Sequence, residues 1–142
     1  MIQIATGNAV AEWVAARIET LRNATDFGPF SAIGVGINGR PSFGVVFYDL
    51  RHQKHGHDIR VAAAAERGTR WARPQVLRYL FDYVFNQLGC ARATFVIREG
   101  NERAERVSKK LGFRKEGVIR RGWDGKTNAL IYGLLKTECR YL

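Results

Sequence analysis

The residues best suited to chemistry lie in Arg67-Gly68-Thr69-Arg70-Trp71-Ala72. A short turn that leads from a strand into a helix presents backbone N–H groups with no partner and a partial positive charge, which suits a pyrophosphate. Arg67, Arg70, Arg73 and Arg78 add formal charge nearby. A plain strand-to-helix turn with solvated arginines fits the same residues, and both readings stand at this point. His52, His55 and His57 place three imidazoles within six residues. No cysteine or carboxylate set accompanies them, and a loop spacing does not make ligands converge, so a polar loop is expected and no metal site. Cys90 follows Gly89 at the entry to a strand with no adjacent histidine, which reads as buried packing rather than a nucleophile. Tyr48-Asp49 offers a phenol and a carboxylate at a strand end, either to line a substrate site or to close the strand.

The elements that would carry these groups follow from hydrophobic spacing. Val10, Trp13, Val14, Ile18 and Leu21 predict an amphipathic helix over Ala9–Leu21, with Asn8 as its cap. Gly28-Pro29 breaks the chain before a strand at Ser31–Ile37. Asn38-Gly39 has the chemistry of a tight hairpin, and alternation through Phe43, Val45 and Phe47 gives the returning strand. Arg51–His57 is polar throughout and reads as a loop. A third strand then runs from about Asp58 with Ile59, Val61 and Ala63 on one face, stopping at Glu66–Arg70. Pro74 suits a first helical turn, and Val76, Leu77, Leu80, Phe81, Val84, Phe85 and Leu88 make the helix that follows the strongest in the chain. A strand at Ala91–Arg98 precedes a short helix that begins at Asn101 and stops at Gly112, with Glu102 and Glu105 early and Lys109 and Lys110 late, as a helix dipole favours. Strands at Glu116–Arg120 and Ala129–Leu135 flank a turn at Asp124-Gly125. This order predicts one α/β domain over residues 1–142, with a mixed, largely antiparallel twisted sheet flanked by helices.

Several of these residues form an ordered set: Arg67 and Ala72 at the ends of the turn, then Asn101 and Ala104, Lys110-Leu111-Gly112-Phe113, and Glu116-Gly117. With them, the segment from about Asp58 to Leu135 resembles the core of the GNAT superfamily of N-acetyltransferases, especially the branch that acetylates ribosomal-protein N-termini. In that family a strand leads into Gln/Arg-x-x-Gly-x-Gly/Ala, which binds the pyrophosphate of acetyl-CoA. The resemblance covers somewhat over half of the chain, and the earlier helix and hairpin match the family in topology more than in sequence.

The resemblance implies an acyl-CoA-dependent transfer to an amine by direct attack in a ternary complex, with acetyl-CoA as donor. Arg67, Gly68, Thr69, Arg70, Trp71 and Ala72 would bind the pyrophosphate, and Asn101 would lie near the pantetheine arm or serve as a helix cap. Ser108 stands where many members carry a tyrosine acid, and Asp58 where members often supply a carboxylate to the amine. The family's central glycine is Arg70 here, so a guanidinium replaces a close backbone approach to phosphate. A phage-type DNA-modifying enzyme of the Mom kind, and a non-catalytic nucleic-acid-binding module, are alternative uses of the same fold.

Composition bounds these readings. The 142 residues are 46% hydrophobic and 25% charged, which describes a chain with a core rather than a disordered one. No apolar run approaches the roughly 18 residues that cross a bilayer, and no signal peptide follows Met1, so a cytoplasmic protein with reduced cysteines and no membrane partner is expected. Lys and Arg number 23 against 13 Asp and Glu, a formal net charge of +10. Ten of the cations and five of the anions fall between Arg98 and Lys126. One cofactor hardly requires so broad a cluster, and a nucleic-acid-associated acceptor, like a protein or small-molecule amine, is compatible with it. The open edges of such a sheet make a homodimer an expectation.

Overall fold

The computed structural model describes residues 1–142. Its centre is a seven-stranded sheet: β1 (Ile2–Thr6), β2 (Phe30–Ile37), β3 (Arg40–Arg51), β4 (His57–Ala65), β5 (Cys90–Arg98), β6 (Arg114–Ile119) and β7 (Ala129–Leu135), in the spatial order β1-β2-β3-β4-β5-β7-β6. Only β4 and β5 pair in parallel. The other contacts are antiparallel, so the sheet is mixed as expected. The β2–β3 hairpin turns at Asn38 and Gly39, whose φ values of 51° and 80° are those a tight two-residue turn requires.

Alternation sorts the strands onto two faces. On one face Ile33, Val45, Phe47, Ile59, Ala93 and Ile97 join α2 (Pro74–Asp82) in a cluster of 20 buried residues, with Ala104, Val107 and Leu111 of α3 (Glu102–Leu111) packed against it. On the other, Ala32, Val46 and Ala62 receive Ala11, Val14 and Ala15 of α1 (Asn8–Ala15) in a cluster of eight. Small residues let α1 lie close. A Cβ on Gly44 would stand 2.7 Å from Val14 Cγ2 and 3.2 Å from the Trp13 ring.

Three local expectations are corrected. A strand unforeseen in the sequence, β1, forms because Ile2–Thr6 pairs along β2, and only Ile2 gains cover there. The first helix ends at Ala15 rather than near Leu21, and its cap is Gly7 at φ 101°, with Asn8 already helical; Ile18 and Leu21 still pack on the smaller cluster from the following turns. The second helix begins at Pro74 as expected but closes as a π turn over Tyr83–Gln87, where the Leu88 N–H reaches the Tyr83 carbonyl at 2.8 Å. No helix is long and apolar enough to cross a membrane.

Gly44→Ala is expected to lower the stability by about 1–3 kcal/mol through overpacking against Val14. Equilibrium urea unfolding reads this as an earlier midpoint; an unchanged midpoint would show that α1 does not lie as close as described.

Candidate active site

The parallel ladder between β4 and β5 ends early. Its last pair is Val61 with Phe95, yet β4 continues to Ala65, paired only with β3, and β5 continues to Arg98, paired only with β7. The two strands therefore part in the middle of the sheet, and the edge of β4 facing the gap is built of Ala62-Ala63-Ala64-Ala65. Backbone groups along that edge lack a strand partner, and the methyl side chains leave room for a ligand to supply one.

Two cavities meet at this opening. The first, about 650 Å³, lies on the side of α2 and α3 and is largely apolar, lined by Phe43, Phe47, Leu77, Phe81, Phe95 and Val107 among others. The second, about 630 Å³, lies on the side of α1 and is more polar, with Tyr48, Arg60, Arg98 and Trp123 in its walls. Val61, Ala63, Phe95, Asn101, Ala104 and Arg17 border both. The two cavities thus adjoin through shared walls on either side of the parted strands.

The turn from β4 to α2 stands at the mouth of the first cavity. Gly68 takes φ 77°, and Thr69 Oγ1 closes the turn by donating to the Glu66 carbonyl at 2.9 Å. The six backbone N–H groups from Arg67 to Ala72 donate no hydrogen bond within the protein, while those of Glu66 and Arg73 do. Arg67 and Arg70 are exposed and Arg73 half-buried, and none has a carboxylate partner. Arg70 keeps a negative φ, so an arginine occupies its position without the strain a left-handed residue would carry. Arg73 Nε donates to the Arg70 carbonyl at 3.0 Å, bracing the turn. Trp71 differs from its neighbours: its side chain is buried and stacks on Phe43, with ring centroids 3.7 Å apart and planes 9° apart, forming a wall of the cavity.

Helix α3 supplies two further expected residues. Asn101 caps it, with Oδ1 accepting from Ala104 N at 3.2 Å, and sits where the cavities meet. Ser108 is 1% exposed, lines the first cavity, and its Oγ has no hydrogen-bond partner. Because an unpartnered buried hydroxyl costs free energy, its presence facing a cavity marks a place where a ligand atom would satisfy it. The helix is fastened from behind by Tyr132 of β7, whose hydroxyl donates to Glu105; burial and that carboxylate push the phenol up to about 12.

Asp58 is not brought to this opening. It lies at the other end of β4 and lines neither cavity. Its Oδ1 accepts from Thr94 Oγ1 at 2.9 Å and faces Arg92 Nε at 3.3 Å, and Arg92 continues to Glu116 at 2.7 Å. Asp58 does not pair with Arg60 on its own strand either, since Arg60 lies opposite Tyr48 across the β3–β4 ladder and leans to Asp49 at 3.4 Å. Of the Tyr48-Asp49 pair, Tyr48 lines the second cavity and Asp49, at φ 51°, does not. The histidines stay apart from both cavities; His52 and His57 meet edge to face at 4.6 Å, and no group of three ligating side chains assembles.

Two features escaped sequence reasoning. Arg17 bridges the end of α1 to the end of β4, with Nε and Nη2 donating to Glu66 Oε1 at 3.0 and 2.7 Å over the face of Trp13. Glu19 spans the second cavity, reaching Arg98 Nε at 3.1 Å and Trp123 Nε1 at 3.2 Å. Their partners are 49 to 104 residues away, so no local pattern announces them. The run of four alanines was the one signal that a strand edge was kept small.

Cys90 is 2% exposed, and burial together with Asp58 pushes its thiol up to about 11. Only the thiolate reacts, so at about pH 8 native labelling is expected to spare Cys90 until denaturant is added, read by mass spectrometry of the labelled peptides. Rapid native labelling would contradict this placement.

No family model matches this sequence, and no curated protein matches it. Solved structures do. An acetyltransferase of the GNAT family from Streptococcus pneumoniae superposes with a TM-score of 0.66 at 15% identity, over 95% of this chain and 99% of that one. A chimera of the Vibrio cholerae spermidine N-acetyltransferase SpeG and hSSAT gives 0.71 at 12% identity, over 99% and 98%. NAA60 of Arabidopsis thaliana, solved with a bisubstrate analogue, gives 0.70 at 12% identity, over 95% and 98%. The seven-stranded, mostly antiparallel sheet with its flanking helices is the fold of the GNAT acetyltransferases.

Proposed function

We propose that this protein is an acyl-CoA-dependent N-acyltransferase that transfers acetyl from acetyl-CoA to an amine in a ternary complex. The observation that carries the reading is the junction of an apolar and a polar cavity at the parted strands, with a run of free backbone N–H groups at the mouth of the apolar one. The residues present fit such a donor. The N–H groups from Arg67 to Ala72 and the first turn of α2 hold a pyrophosphate, and the side chains of Arg67, Arg70 and Arg73 lie close enough in sequence to add charge. The apolar cavity accommodates a pantetheine arm, and the unpaired edge of β4 gives it strand-like hydrogen bonds.

When bound, the donor supplies a thioester activated for acyl transfer. Backbone N–H groups of Ala62–Ala65 that face the opening stabilise oxyanion charge at the acyl carbonyl, because they are fixed before reaction and need no reorientation. Ser108 Oγ, buried and unpartnered, donates a hydrogen bond to the leaving sulfur. The exchange forms a C–N bond and breaks a C–S bond, and the proton lost by the amine balances the one gained by sulfur. Asp58 acts at a distance in this scheme, holding Arg92 and Thr94 in the ladder below the opening. The amine enters from the second cavity, which shares Phe95 and Val61 with the apolar one.

Acetyl-CoA at about 100 times its Kd should stabilise the fold by about 2.7 kcal/mol, visible as a raised Tm. No shift at a large excess would remove the reading. Ser108→Ala is expected to lower kcat about tenfold with KM for acetyl-CoA within twofold and Tm unchanged or slightly higher, since the hydroxyl it deletes has no partner. An unaltered kcat would take Ser108 out of the chemistry.

A further inference from the structure

The charges lining the second cavity speak to the acceptor. Two carboxylates line it, and both are engaged. Glu19 Oε1 takes Arg98 and Trp123, as described. Asp26 accepts from the Arg22 backbone N at 2.8 Å and its Nη2 at 2.9 Å, and Arg22 holds that carboxyl below the usual range. Each already neutralises an arginine of this chain. The arginines lining the cavity outnumber these acids, with Arg17, Arg60 and Arg98 present. Arg17 is occupied by Glu66 and the Trp13 carbonyl, and Arg98 by Glu19 and the Glu99 carbonyl.

Arg60 is the exception. Its one ion contact is Nε to Asp49 Oδ2 at 3.4 Å, and neither Nη donates a hydrogen bond within the protein. It stands on β4 just before Val61, the last residue paired with β5, and on the same face as Ala62. Tyr48 lies opposite it on β3 and lines the same cavity, and its hydroxyl donates no hydrogen bond within the protein. The Arg60 guanidinium, beyond its contact with Asp49, therefore faces only the Tyr48 phenol, and the two sit together roughly 7 Å along the strand from Ala62, where the opening begins. A guanidinium fork matches the two oxygens of a carboxylate or phosphate.

We infer that the acceptor is an amine that also carries an oxyanion, carboxylate or phosphate, held by Arg60 and Tyr48 while its nitrogen lies a few bonds away at the parting of β4 and β5. This rests on the acyltransferase reading for the second cavity. A polyamine finds no unpaired carboxylate there and meets an arginine instead, a repulsive element as selective as the attraction.

The test is calorimetric titration of the full chain with O-phosphoethanolamine, β-alanine, spermidine and acetyl-CoA, repeated on Arg60→Met, Arg60→Lys and Tyr48→Phe. Binding of at least one anionic amine, none of spermidine, and a tenfold or greater loss in Arg60→Met with partial recovery in Arg60→Lys are expected, with acetyl-CoA affinity within twofold throughout. Preference between the first two probes tells phosphate from carboxylate. Spermidine binding more tightly than both, neither anionic amine binding, or full affinity in Arg60→Met would each overturn the inference. Anionic-amine binding without acetyl-CoA binding would instead sink the acyltransferase reading and leave the oxyanion site standing.

Discussion

The parallel pair β4–β5 governs this molecule, because it is the one contact in the sheet that the strands do not complete. A sheet interior ordinarily pairs its backbone groups fully, since each buried unpaired N–H or C=O is costly. Here pairing stops at Val61 and Phe95 while both strands run on, each held by its outer neighbour. The crossover through α2 makes the pair parallel and sends the chain back over one face, so the turn with free N–H groups and the start of α2 stand beside the parted ends. Asn101 and α3 follow from the end of β5 for the same reason. The gap, the turn of unpaired N–H groups and the buried hydroxyl of Ser108 are three consequences of one topology.

The two faces of the sheet divide the labour. The side of α2 and α3 carries the larger cluster, with its aromatic side chains and the apolar cavity. The side of α1 carries the smaller cluster, in which alanine is the commonest residue, and a polar cavity lies between the end of α1 and the β6–β7 turn, bridged by Glu19. Beyond it, Asp58, Arg92, Thr94 and Glu116 form a satisfied polar ladder across β4, β5 and β6. Gly133 of β7 lies beneath it, where a Cβ would collide with the Glu116 carboxylate. That ladder explains a carboxylate at position 58 without any contact with the opening.

Net charge is resolved by the same geometry. The cations of the β4–α2 turn lack carboxylate partners and stand beside free N–H groups, a concentration of positive potential at one mouth. Of the ten cations between Arg98 and Lys126, only Arg98 and Arg114 form ion pairs, with Glu19 and Glu138. The other eight form no ion pair within the chain. Arginines that enter the second cavity are tied down one by one, and Arg60 is the least tied.

The sequence by itself determined the elements whose burial is periodic or whose caps are local. The β2–β3 hairpin follows from Asn38-Gly39, α2 from Pro74 and its apolar spacing, α3 from Asn101 and Gly112, and β7 from Ala129–Leu135. Each depends on residues within a few positions, where propensity and capping act. The turn at Arg67–Ala72 was legible for a related reason, its place between a strand and a helix, whereas the burial of Ser108 was not, because a short polar residue on a helix reads equally as surface. Tertiary structure decided the rest. Ile2–Thr6 shows only the brief alternation of Ile2 and Ile4, stays mostly exposed, and becomes a strand because β2 offers an edge. Asp58 takes Arg92 and Thr94 as partners because β5 lies beside it, and Glu19 meets Arg98 and Trp123 only once the sheet is closed. Where β4 and β5 part depends on two strands at once, and no single stretch of chain encodes it.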